Sequence, residues 1–114
     1  MHELALLTGV VARVEDVALA KQADRVEAVY LRVGSLSGAL PEALEGAWPL
    51  ATAQSRLPEA RLVIEMVTAA VWCPTCEANQ AIDEFFALTC PVCATPTGQL
   101  VAGREFELVA VDLE

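Results

Sequence analysis

The spacing of apolar positions changes along the chain, and each change marks an element. Between residues 3 and 22, Leu4, Leu7, Val11, Val14 and Ala18 recur at steps of three and four, while Arg13, Glu15, Asp16 and Lys21 fall largely on other faces. That period predicts an amphipathic helix. In RVEAVYLRVG the step shortens to two: Val29, Leu31 and Val33 alternate with Ala28, Tyr30 and Arg32. This predicts a strand half-buried against a helix. GSLSG (34–38) follows as a turn, with two glycines free to take positive φ. Pro41 suits the first turn of a second helix over about 41–53, where its missing N–H costs nothing, and Glu42 is favourable at the same end. Pro49 within that pattern predicts a short or bent helix, with Leu44 and Trp48 facing inward.

Residues 60–72, ARLVIEMVTAAVW, form a β-branched run that predicts a second strand. Residues 104–113 predict a third: Phe106, Leu108 and Ala110 alternate with Glu105, Glu107 and Val109. A cysteine-bearing segment, 73–93, lies between these two strands and reads as an insertion. The expected architecture is α+β with two lobes. One, formed by 1–70 and 101–114, holds a three-stranded sheet and two helices; the other, 71–100, is a small zinc-ribbon-like lobe inserted between strands.

Composition narrows the chemistry. At 114 residues, with 55% apolar but only 5% aromatic side chains, the chain can build one modest core. Seven basic against sixteen acidic residues leave a net charge of −9. That opposes nucleic acid, whose phosphates need Lys and Arg, and fits a soluble protein or one with a cationic partner. The start lacks the basic segment of a secretory signal, and no apolar run approaches the roughly 18 residues that span a bilayer. A cytoplasmic protein is expected, in which four cysteines are metal ligands rather than disulfides.

Those cysteines are Cys73, Cys76, Cys90 and Cys93, in the pattern C-x2-C-x13-C-x2-C. A two-residue gap lets a tight turn present both sulfurs to one centre, and Pro74 and Pro91 stiffen each turn. Two such turns supply the tetrahedral thiolates of a structural Zn(II) site, with Phe85 and Phe86 available to cover it. Iron is the rival metal. Iron sites built on similar turns commonly place glycine after the second cysteine, whereas Glu77 and Ala94 stand here. A closed four-sulfur site leaves no position for a substrate, so this metal is expected to fold its lobe rather than to catalyse.

The only histidine, His2, stands second in the chain. The Met1 α-amine, the His2 amide nitrogen and the His2 Nδ1 are joined by short covalent paths and close five- and six-membered chelate rings. Glu3 offers a fourth donor through its backbone or carboxylate. Nitrogen sites of square-planar or tetragonal shape suit Ni(II) and Cu(II). The plainer reading of the same residues is a solvated terminus, with Glu3 favourable at a helix start.

MHELAL at the start, YLRVGSLSG followed by PEAL, the IE of LVIEMV, CPTC and CPVC, and a closing strand after GREFEL occur in one order. In these features the chain resembles the HypA family, nickel chaperones of [NiFe]-hydrogenase maturation. The resemblance covers nearly the whole sequence. It implies a protein that is not an enzyme, that binds Ni(II) through the residues matching Met1, His2 and Glu3, and that holds structural zinc on the four cysteines. It implies work with a HypB-type GTPase and delivery of nickel to a hydrogenase large-subunit precursor, and in some bacteria service to urease. Three positions depart from the family's pattern: Leu40 and Ser35 stand where acidic residues are usual, and Pro49 interrupts the second helix.

The alternative is a zinc-ribbon interaction module with an idle His2. An enzyme reading is weaker, because no nucleophile–base pair can be assembled and Glu105 and Glu107 fit the wet face of an edge strand. Strand 104–113 is apolar enough to permit strand exchange between copies.

Overall fold

The first helix, α1 (His2–Ala20), buries Leu7, Val10, Val11 and Val14. These lie on the stripe that the three- and four-residue spacing defines, while Leu4 and Ala18 at its ends are half-buried. Gln22 ends the helix at φ 54. Its N–H bonds to Leu19 O at 3.1 Å, and Ala23 N–H bonds to Ala18 O at 3.0 Å. This is the left-handed C-terminal motif usually built with glycine. The computed structural model describes residues 2–83 and 87–114.

Strand β1 (Val26–Gly34) follows, then α2 (Pro41–Thr52) and β2 (Arg61–Val67). The cysteine region contributes β3 (Ala70–Cys73), β4 (Ala78–Ala81) and β5 (Leu100–Ala102), and the chain closes on β6 (Phe106–Leu113). Two three-stranded sheets result, ordered β2-β1-β6 and β4-β3-β5. The first is the expected three-stranded sheet, with only the first part of the run 60–72 as one of its strands. Arg25 and Glu114 exchange backbone bonds at one end of the β1–β6 pair, and Gly34 N–H reaches Glu105 O at the other, so these two strands run antiparallel. No helix among the described residues is long and apolar enough to cross a membrane.

The chain divides into two compact units. The first comprises Met1–Leu31, Ala39–Glu65 and Glu107–Glu114, and the second comprises Arg32–Gly38 and Met66–Phe106. The buried apolar residues of the first unit include, besides those of α1, Leu44, Ala47 and Trp48 of α2, Val26, Ala28, Val29 and Leu31 of β1, and Leu57 and Ala60. Trp48 is buried with its polar handle satisfied: its indole N–H donates to Ala60 O at 2.8 Å. Helix α2 continues through Pro49, which occupies its last turn, so the missing N–H removes one bond near an end.

Leu40 caps α2 in extended backbone and makes no side-chain cap bond. Its side chain is 62% exposed, so the leucine contributes little burial in return. Leu40→Asp is therefore expected to stabilise the protein by about 1 kcal/mol, by giving an orphan amide its acceptor. An unchanged denaturant midpoint would contradict this.

Two expectations need correction. The run 60–72 is two strands, β2 and β3, in different sheets. The chain turns at Thr68 and Ala69, where Ala69 N–H donates to Ser35 Oγ at 2.9 Å and Ser35 N–H donates to Val67 O at 2.9 Å. In β6 the alternation slips: Val109 and Ala110 are both exposed, and Val111 and Leu113 take the half-buried phase.

The same turn explains two glycines. A Cβ on Gly34 would lie 2.2 Å from the carbonyl carbon of Gly103, and one on Gly103 would lie 2.6 Å from Ala69 Cβ. Gly103 also has φ 129, a region closed to side chains. Gly103→Ala is expected to destabilise the protein by about 2–3 kcal/mol, read as a lowered urea midpoint.

Candidate metal centre

Each cysteine pair sits in a hairpin turn of the second unit. The first joins β3 to β4: Cys73 pairs with Ala78, leaving Pro74, Thr75, Cys76 and Glu77 as the loop. The second closes through Cys90 N–H to Thr95 O at 2.8 Å and Ala94 N–H to Cys90 O at 2.9 Å, with a bridge between Thr89 and Pro96 behind it. Glu77 and Ala94 occupy the left-handed region, at φ 52 and 63. These are the two positions where related metal turns place glycine, and here each carries a Cβ at a backbone cost of about 1–2 kcal/mol. The first sulfur of each pair accepts a backbone N–H, Cys73 from Cys76 at 3.3 Å and Cys90 from Val92 at 3.4 Å.

The two turns bring all four sulfurs within 4.8 Å of one another, as free thiols. Cys73 and Cys93 are 3.5 Å apart, Cys76 and Cys93 are 3.6 Å apart, and Cys76 and Cys90 are 4.0 Å apart. Four sulfurs at about 2.3 Å from a zinc ion would be separated by about 3.8 Å, so this donor set fits a tetrahedral metal. It is the one cluster of three or more such ligands among the described residues. Cys73 and Cys90 are buried, Cys76 is half-buried and Cys93 is exposed.

Neighbouring groups split the acidities of the two less buried thiols. Hydrogen bonds to other sulfurs, that of Cys93 first, push Cys76 up to about 12. The Thr95 hydroxyl, followed by the Thr95 backbone, pulls Cys93 down to about 6. Cys93 is thus the first of the two to ionise, and Cys76 holds its proton the longer. A divalent cation binds the thiolate form, so loading must expel at least the Cys76 proton, and affinity must rise with pH. Zinc added to metal-free protein in weak buffer is expected to acidify the solution; uptake without proton release would contradict this.

The amino-terminal donors are placed differently. His2 is the first residue of α1 and is exposed, and Glu3 is half-buried in the first turn. Amides in a helix's first turn lack an acceptor four residues back, so the helix does not engage the His2 and Glu3 nitrogens. Met1, Phe85 and Phe86 lie outside the described residues. Of the two positions that depart from the acidic pattern, Ser35 spends its hydroxyl on the Ala69 amide and Leu40 caps α2. Sequence reasoning missed Thr95 and Thr75. Thr95 Oγ1 lies 3.1 Å from Cys93 Sγ and 2.9 Å from Thr75 Oγ1. The available signal was a hydroxyl two residues beyond the last cysteine.

A family model described as "Hydrogenase/urease nickel incorporation, metallochaperone, hypA" matches residues 1–113. A hydrogenase maturation factor HypA of Chloroflexus aurantiacus is 39% identical over 112 residues, 98% of each chain. One from Methylocella silvestris is 36% identical over 114 residues, the full length of both. The solution structure of the Ni metallochaperone HypA from Helicobacter pylori superposes with a TM-score of 0.66 at 19% identity, covering 97% of this chain and 96% of that one. A second HypA solution structure gives a TM-score of 0.73 at 21% identity, covering 100% and 97%.

Proposed function

Because the chain belongs to the HypA family of hydrogenase maturation factors and nickel-incorporating metallochaperones, we propose that it binds one Ni(II) at its amino terminus. The Met1 amine, the His2 amide and imidazole nitrogens, and a donor from Glu3 form the site. The cargo then passes to the large-subunit precursor of a [NiFe]-hydrogenase, with a HypB-type GTPase as working partner, in the cytoplasm. The cysteines Cys73, Cys76, Cys90 and Cys93 hold structural Zn(II), which supplies a fixed divalent charge and folds the unit around it.

The observation that carries this reading is that the chain offers two unlike donor sets, one in each unit. Four sulfurs converge on one closed centre. The single imidazole belongs to the other unit and is exposed, on amides the helix leaves unengaged. Soft sulfur retains zinc, while a nitrogen set suits nickel. A chaperone needs a cargo site that selects its ion and also surrenders it. Few ligands, all on one short exposed segment, meet both demands. Protons compete with the metal at the amine and the imidazole, so acid weakens cargo binding.

Calorimetric titration of untagged, zinc-loaded protein with Ni(II) tests the reading. One nickel per chain beyond the zinc is expected. If no second ion binds, the protein is a zinc-ribbon scaffold, the alternative that the −9 charge already restricts to partners other than nucleic acid.

A further inference from the structure

Of the four cysteines, Cys93 is the exposed one, and its sulfur has a hydroxyl beside it. The two metal turns are near copies, Cys73-Pro74-Thr75-Cys76-Glu77-Ala78 and Cys90-Pro91-Val92-Cys93-Ala94-Thr95. They share the proline, the spacing and the left-handed residue after the second cysteine. They differ at the third, fifth and sixth positions: Thr75 against Val92, Glu77 against Ala94, and Ala78 against Thr95. Thr95 Oγ1 is 3.1 Å from Cys93 Sγ, and its second neighbour, Thr75 Oγ1 at 2.9 Å, comes from the opposite turn. The hydroxyl pair thus bridges the two turns beside the Cys93 sulfur.

We propose that Thr95, seated by Thr75, is a positioning residue that holds the Cys93 sulfur on the metal and sets how readily the site opens there. The inference rests on the reading of the cluster as a zinc site.

A hydroxyl has one proton and two lone pairs, and it rotates to suit its neighbours. Beside a Cys93 thiol, Thr95 accepts from sulfur and donates to Thr75. Beside a metal-bound thiolate, which has no proton, Thr95 donates to sulfur and Thr75 donates to Thr95. Both hydroxyls remain satisfied in each state, so the pair matches the sulfur both as a thiol and as a thiolate. The bond to the thiolate is charge-assisted. It draws electron density from sulfur and lowers its nucleophilicity toward electrophiles. Cys73 and Cys90 are buried and accept backbone N–H groups, so they do not depend on this device. At Cys93 the hydroxyl takes the place of burial.

The test uses the full, zinc-loaded chain. Iodoacetamide alkylates thiolate sulfur with loss of iodide; peptide mass spectrometry gives the rate at each cysteine, and a chromophoric chelator reports zinc release. Thr95→Val keeps the side-chain shape and removes the hydroxyl. It is expected to raise alkylation of Cys93, and the accompanying zinc release, about tenfold, the value of a hydrogen bond to a charged group. Thr95→Ser should restore the original rate, and Thr75→Val should raise the Cys93 rate to a lesser degree. The initial rates at the other three cysteines, before zinc is lost, should not change. A Thr95→Val protein with one zinc per chain and an unaltered Cys93 rate overturns the proposal. Equal acceleration at all four cysteines also overturns it, because that reports a loosened lobe. A wild-type chain that holds no zinc overturns the reading of the cluster, and this inference with it.

Discussion

His2→Ala is expected to lower Ni(II) affinity by more than about 100-fold while leaving zinc content and circular dichroism unchanged. Loss of a metal ligand's hydrogen-bond partner alone typically costs 10–100-fold, and here the ligand itself is removed. In the proposed site the imidazole closes the six-membered chelate ring, and no other histidine exists to replace it. The fold should not notice, because His2 is exposed at the start of α1 and contributes nothing to the buried set of Leu7, Val10, Val11 and Val14. Surface substitutions of this kind shift stability by about 0.5 kcal/mol or less. A short amino-terminal tag should mimic the variant by converting the Met1 amine into an amide. Calorimetry showing normal nickel uptake by the His2→Ala protein would refute the assignment.

Cys73→Ala should act in the opposite way, eliminating zinc and unfolding the second unit while nickel chemistry at the start of the chain survives. Cys73 is fully buried at the end of β3, pairs with Ala78 and accepts the Cys76 N–H. Among the described residues, the buried apolar side chains of this unit are Val33, Ala69, Val71, Cys73 and Cys90. Two of those five are the proposed ligands, so on that reading a metal stands in for a hydrophobic core. Structural zinc supplies about 10–16 kcal/mol of folding free energy in small domains, far more than three small apolar side chains can. Loss of β signal with retention of the helical bands of α1 and α2 is the expected spectrum. Full zinc stoichiometry in the variant would contradict it.

Much of the fold was legible because its periods are local. The α1 stripe, the Pro41 start of α2 and the alternation of β1 need only near neighbours to read. The division of 60–72 into β2 and β3 was not legible. Every residue in that run favours strand, and the break comes from partners distant in sequence: Ser35 holding the Ala69 amide, and Gly103 passing against Ala69. The phase slip at Val109 and Ala110 was hidden because both residue types suit either face of an edge strand. At the metal centre the cysteine spacing announced its own geometry, since two-residue gaps permit few turns. The Thr95–Thr75 pair was invisible because its members belong to different turns, which meet only once the sulfurs converge.

The order of strands in the first sheet has a consequence for synthesis on the ribosome. Strand β1 is the middle strand, and its neighbour β6 is translated long after it; Tyr30 and Asp112, joined by a hydrogen bond, are 82 residues apart. The nascent chain must therefore keep one flank of β1 unpaired while the whole cysteine segment emerges. Early capture of zinc would shorten the slack between the two strands before β6 arrives and lower the entropy of that late closure. On the zinc reading, a chain made without the metal would keep that strand flank open for longer, and an open strand flank invites aggregation.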